Sequence, residues 1–221
     1  MQYITARCAL KQPRARKAGA RDSIASMYYI VGLGNPDAEH EGTRHNAGRV
    51  VLAHFLRQHG LSEMVRSKKY ASRVSDGVVE GERVLVLYPE TYMNKSGSAV
   101  TKAVTSAKKA EKLIVVHDDL DLPLGAMRIS FSRGSGGHKG LESIIRAIKT
   151  RDFARVRLGI APTTPTGRLR KPKGEEKTVA FLLSDFKKPE LAILKKISKR
   201  VSEAVETIIA EDVERAMNQY N

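Results

Sequence analysis

A single α/β domain, in which a mixed, mainly parallel sheet is covered by helices, is predicted by three observations: length, composition and patterning. The 221 residues suffice for one well-packed core and are short for two. Hydrophobic residues make up 41% and charged residues 29%, an ordinary globular composition. Short apolar runs alternate with amphipathic stretches, the pattern of strands interleaved with helices. Strands are predicted at about 28–32, 70–75, 83–88, 113–117, 126–131 and 156–160. Asp76-Gly77 and Glu80-Gly81 supply turn residues for a hairpin-like link between the second and third.

Helices are predicted at about 43–58, 95–107, 141–149 and 189–217. In the first, Ala47, Val50, Val51 and Phe55 form one apolar stripe that Gly60 ends. In the last, Leu194, Ile197, Val201, Val205, Ile208 and Val213 recur at helical spacing. Between the last strand and that helix, residues 162–178 hold three prolines, two glycines and five basic residues, which reads as a mobile basic loop.

Charge narrows the partners. Lys plus Arg exceed Asp plus Glu by 39 to 24, a net charge of +15, which favours a polyanion such as nucleic acid. Residues 1–26 hold six basic residues against Asp22, so this tail carries +5 and residues 27–221 still carry +10. An Arg-rich, acid-poor leader suits an organelle transit peptide or a disordered extension, so a mitochondrial or cytoplasmic location is expected. The one cysteine, Cys8, lies in the tail, which excludes an intramolecular disulfide or a multi-thiolate metal site. No apolar run is long enough for a membrane helix of ordinary length.

Four polar segments follow strand ends, where open α/β sheets keep their ligand sites: 32–46, 92–97, 117–121 and 134–138. Gly32 and Gly34 hint at a dinucleotide fingerprint, but Asp37 stands where its third glycine belongs and Pro36 intrudes. His45, His117, Asp118, Asp119, Asp121 and His138 are candidate metal ligands, though without the spacing of a calcium loop or a zinc helix. A third reading is general base catalysis without a metal. His45 would take a proton from water, Asp118 would set its tautomer, and the neutral amides of Asn35 and Asn94 would orient substrate and water. No GxSxG elbow is present to support a nucleophilic serine.

Taken together, VGLGNP at 31–36, TRHNAG at 43–48, TYMNKSG at 91–97, HDDLDLPLG at 117–125 and GSGGHKGLESI at 134–144 resemble, in order and spacing, the bacterial-type peptidyl-tRNA hydrolases. The resemblance runs from about Tyr28 to the C-terminus. It implies a single three-layer α/β/α domain, no metal or other cofactor, a monomer, and cleavage of the ester between peptide and tRNA. It also implies that His45 is the catalytic histidine and Asp118 its partner, and that Asn35, Met93 and Asn94, with the segment holding His138, bind the peptidyl end. Arg157 and Arg128 are similar in position to residues that meet tRNA, and the basic loop adds Arg168, Arg170 and Lys171. Two positions of the peptide subsite depart from the pattern: Lys139 stands where asparagine is usual, and His40 where tyrosine is common. Lys139 keeps a second reading open, a structured-RNA-binding protein on the same fold without turnover.

Overall fold

Residues 27–221 are described by a computed structural model, and the readings placed on residues 1–26 lie outside the described residues. Seven strands form in chain order: β1 Met27–Gly32, β2 Val65–Ser67, β3 Ser72–Val79, β4 Glu82–Pro89, β5 Leu113–Pro123, β6 Met127–Phe131 and β7 Ala154–Ala161. The helices are α1 Ala47–Gln58, α2 Ser96–Val100, α3 Ala107–Ala110, α4 Lys139–Ile148, α5 Glu175–Leu182, α6 Lys188–Ala210 and α7 Val213–Tyr220. All strands join one sheet in the order β2-β3-β4-β1-β5-β7-β6. The central strands β4, β1, β5 and β7 run parallel, and antiparallel neighbours close both sides.

Continuous apolar runs take the centre because only a strand covered on both faces buries successive residues. In β1, Ile30 points to one core and Val31 to the other, as the two-residue strand period requires. The first core packs Val51 and Phe55 of α1 and Val201 and Val205 of α6 against Ile30, Val86, Val116 and Val156. The second packs Val100 of α2 and Leu141 and Ile144 of α4 against Val31, Leu87 and Val115. The result is the expected three-layer α/β/α sandwich. Gly48 allows α1 to press onto the sheet, since a Cβ there would strike the Val116 carbonyl and the Leu33 backbone. That close approach sets the start of α1 beside the ends of β1 and β5.

Several predicted elements shift. The hairpin turns at Glu80-Gly81, both with positive φ, whereas Gly77 lies inside β3 paired with Val84, so Asp76-Gly77 is strand rather than turn. The first helix is preceded by a separate 3-10 turn, Arg44–Asn46. The helix expected over 95–107 ends at Val100, and α3 is a distinct single turn capped by Ser106. The helix expected over 189–217 breaks after Ala210, because the Asp212 carboxylate accepts from the Arg215 N–H at 2.7 Å and starts α7. The segment read wholly as a loop turns into α5 after Gly174, with Glu175 and Glu176 in its first turn, where acidic groups favour a helix start.

Candidate active site

The C-terminal ends of the parallel strands carry the polar segments, and each functional side chain is placed by a local device. Asp118 continues β5 and is 2% exposed. His45 sits in the 3-10 turn that leads into α1. Its Nδ1–H donates to both Asp118 carboxylate oxygens, each at 3.0 Å. The Gly-rich segment before α4 delivers His138 as that helix's N-cap, with Gly136 and Gly137 at positive φ.

His138 fixes the proton arrangement of the cluster. Its Nδ1 accepts from the backbone N–H groups of Gly140 at 3.1 Å and Leu141 at 3.3 Å, so Nδ1 carries no proton. The proton is therefore on Nε2, which donates to Asp118 Oδ1 at 3.1 Å. Asp118 thus receives both imidazoles, and His45 is left with an unprotonated Nε2. Burial works to lower the His45 pKa, but the charge of Asp118 and its hydrogen bond outweigh it, and the imidazole is raised above 6.5. Burial alone would raise the Asp118 carboxyl, yet the two histidines hold it well below the ordinary carboxylate range. Next to it, His117 is pushed down to about 3 by burial and by His138, and its Nδ1–H donates to the Asp118 carbonyl at 2.7 Å. His117 is a neutral support of the strand end.

Ligand atoms of His45, Asp118 and His138 lie within 4.8 Å of one another, which is close enough for a metal ion. The hydrogen bonds among them account for the same geometry with protons alone, and a metal would have to displace both N–H donors.

The second group is held by amides. The Asn35 backbone N–H donates to Asn46 Oδ1 at 2.8 Å, and Asn46 Nδ2 donates back to the Asn35 carbonyl at 3.1 Å. The Asn35 side-chain oxygen accepts from the Met93 N–H at 2.9 Å, which ties the segment after β1 to the turn Met93–Lys95. Met93 is buried against Gly140, while the Asn94 side chain is exposed and unpaired. A cleft of about 330 Å3 opens beside the cluster, bordered by His45, Asp118, His138, Lys139 and the α5 residues Val179 and Leu182.

An acidic, doubly hydrogen-bonded partner behind an open imidazole nitrogen is hydrolytic geometry. The sequence profile of the family described as peptidyl-tRNA hydrolase matches residues 29–221. The chain belongs to the peptidyl-tRNA hydrolase family. It is 37% identical over 196 residues to the peptidyl-tRNA hydrolase of Syntrophotalea carbinolica, covering 88% of this chain and 97% of that one. The Carboxydothermus hydrogenoformans peptidyl-tRNA hydrolase is 38% identical, covering 88% and 98%. Among solved structures, peptidyl-tRNA hydrolase from Acinetobacter baumannii superposes with a TM-score of 0.78 at 30% identity, covering 91% of this chain and 97% of that one.

The remaining sequence-derived positions of this family member separate by strand. Arg157 on β7 donates to Asp119 at 2.7 Å and faces Arg128 on β6 across the ladder. Both border a groove of about 530 Å3 that also holds Arg133 and Arg155. Arg168 and Arg170 are exposed in a loop pinned by a bridge between Thr163 and Leu169, and Lys171 is ion-paired with Asp121. Lys139 is exposed and makes no hydrogen bond, at the first position of α4. His40 stands 3.6 Å from the Asp37 carboxylate and does not border the cleft of His45. Both ring nitrogens of His138 are engaged by the fold, so this side chain orients Asp118.

Sequence reasoning passed over Asn46, Arg49 and Arg155. Asn46 adjoins His45 in the quoted motif, and a buried amide at a helix entrance was the available signal. Arg155 is buried on β7, where its guanidinium binds the carbonyls of Arg133 and Gly134 and stacks on Phe153.

Proposed function

We propose that the protein hydrolyses the ester bond between peptide and tRNA in peptidyl-tRNA, recycling tRNA from prematurely released chains, with His45 as general base. The observation that carries the assignment of roles is the proton arrangement: His138 and Asp118 leave His45 Nε2 as the unprotonated nitrogen at the cleft. Nε2 takes a proton from water while the water oxygen bonds to the ester carbonyl carbon. Asp118 stabilises the imidazolium that forms. The intermediate then collapses, the bond from carbonyl carbon to ribose oxygen breaks, and His45 returns the proton to that oxygen. Asn35, through Met93, holds the walls that receive the peptidyl end, and Asn94 offers an unpaired amide for the water or the substrate carbonyl.

Purified protein is expected to release tRNA from a model peptidyl-tRNA and to leave free aminoacyl-tRNA and peptides intact. Tight RNA binding without release would replace this reading with that of an RNA-binding relative. The reading includes a monomer working in the mitochondrion or the cytoplasm, which size-exclusion chromatography and cell fractionation test.

The raised imidazole sets the pH profile. A raised pKa keeps His45 protonated, and so inactive as a base, to higher pH, and activity returns as pH rises through it. The acid limb of kcat/KM is therefore expected above 6.5, and it should move down when Asp118 is neutralised. An acid limb that stays in place when Asp118 is neutralised would remove the His45–Asp118 pair from the base role.

Arg128 and Arg157, with the loop residues Arg168, Arg170 and Lys171, are assigned to tRNA phosphates. Affinity should fall steeply with salt, and each contact removed by charge reversal should flatten the log-log slope by about 0.7–0.9. A salt-independent affinity would take phosphate contacts out of the account.

Lys139, exposed at the border of the His45 cleft and without a hydrogen bond, is assigned to a tRNA phosphate as well. Lys139→Asn is expected to leave turnover unchanged or raised and to weaken tRNA binding modestly. Collapse of turnover with intact tRNA affinity would place Lys139 in the catalytic machinery.

A further inference from the structure

Strand order lays the active edge out as a line. From β3 to β6 it presents Arg73, Tyr88, then Asn35 just beyond β1, then Asp118, Arg157 and Arg128. If tRNA occupies the β7–β6 end, the peptide leaves His45 in the other direction, over β1, β4 and β3. A second cavity, about 430 Å3, lies there and has no part in the chemistry described above. Asn35 borders it, and its lining includes Arg49, Arg73 and Tyr88 together with Asp37 and Glu41.

Two buried side-chain atoms of this cavity's lining lack a hydrogen-bond partner, Arg49 Nε and Asp37 Oδ2. Arg49 is anchored by neutral atoms: its Nη2 donates to the carbonyls of Gly34 at 2.6 Å and Pro89, and its guanidinium stands 5.7 Å from the Tyr88 ring centroid. Its Nε is buried without a partner. Asp37 and Glu90 lie within electrostatic reach, but neither forms an ion pair with it; Glu90 is paired with Arg66 and Asp37 lies beside His40. Arg73, directly across the ladder from Tyr88, adds a second positive charge and has no ion-pair partner among the described residues. A partly buried guanidinium without a direct ion-pair partner is costly, and burial lowers its pKa to about 10. An anion entering between the two arginines relieves that cost.

The carboxylates in the lining select which anion. Asp37 and Glu41 oppose a polyanionic phosphate chain more strongly than a single carboxylate, and Asp37 Oδ2, which has no hydrogen-bond partner, can accept a peptide N–H. We propose that this cavity is a peptide subsite selective for an acidic side chain, in which a carboxylate on the residue preceding the ester-linked one sits between Arg49 and Arg73. The proposal rests on the hydrolase reading above.

Three substrates test it: N-acetyl-aspartyl-alanyl-tRNA, N-acetyl-alanyl-alanyl-tRNA and N-acetyl-lysyl-alanyl-tRNA, on the same tRNA. The wild type is expected to favour the aspartyl over the lysyl substrate by about fivefold in kcat/KM, the scale of one partly screened ion pair. Arg73 is exposed and makes no hydrogen bond, so Arg73→Glu changes the charge without removing a support of the fold. That variant should reverse the order, and Arg49→Met should reduce it. Equal kcat/KM for all three substrates in the wild type, or an order that survives Arg73→Glu, would overturn the subsite while leaving the hydrolase reading intact. Cleavage of none of the three would overturn the hydrolase reading and the subsite with it.

Discussion

His45→Ala is expected to lower the rate of peptidyl-tRNA cleavage by about 10² to 10⁴, the range that general base assistance supplies. The loss should fall on kcat and leave tRNA affinity nearly unchanged, because the phosphate-binding candidates stand on β6, β7 and the 162–174 loop. A structural cost accompanies it. The side chain is 10% exposed and supplies hydrogen bonds to both oxygens of Asp118, so its removal opens a cavity and leaves that carboxylate with His138 as its side-chain donor. Added imidazole distinguishes the two effects, since a free base occupying the cavity should restore part of the turnover, whereas a distorted fold would not respond. Single-turnover kinetics beside filter binding measure both terms. Turnover close to that of the wild type would refute the assignment of His45.

What the sequence could and could not reveal follows from the range of each interaction. The apolar runs of β1, β4, β5 and β7 were legible because both faces of a central strand are buried, so composition alone marks them. Strand β2 was not, since Val65–Ser67 is short and largely exposed, offers one apolar residue and exists through its pairing with β3. The break between α6 and α7 was written in Asp212, but the apolar period running through Val213 concealed it. At the site, His45 and Asp118 could be named as acid-base chemistry, while their contact spans 73 positions of sequence and only the fold makes it. The role of His138 lay further out of reach. An imidazole that caps a helix through one nitrogen and orients a carboxylate through the other depends on the placement of α4 against β5, which no local pattern encodes.

That double engagement gives Asp118→Asn a specific expected result. An asparagine at this position keeps one acceptor and replaces the other by an NH2 donor. His138 cannot adapt, because its Nδ1 must accept from Gly140 and Leu141, so its Nε2–H still requires an acceptor at the Oδ1 position. The amide oxygen is therefore held there, and the NH2 group falls at the Oδ2 position, 3.0 Å from His45 Nδ1. A donor now faces a donor, and the one acceptor left within reach of Nδ1, the amide oxygen also at 3.0 Å, is shared with His138. The conflict is relieved if His45 moves its proton from Nδ1 to Nε2, which makes Nδ1 an acceptor and converts the base nitrogen into an N–H. Turnover should fall well beyond tenfold, though less than in His45→Ala, since a minor population of the productive tautomer persists. Nitrogen NMR should report the exchange directly, with the wild type protonated on Nδ1 of His45 and the variant on Nε2. A variant that loses activity while His45 keeps its proton on Nδ1 would show that the negative charge of Asp118, rather than its control of the tautomer, is what the reaction needs.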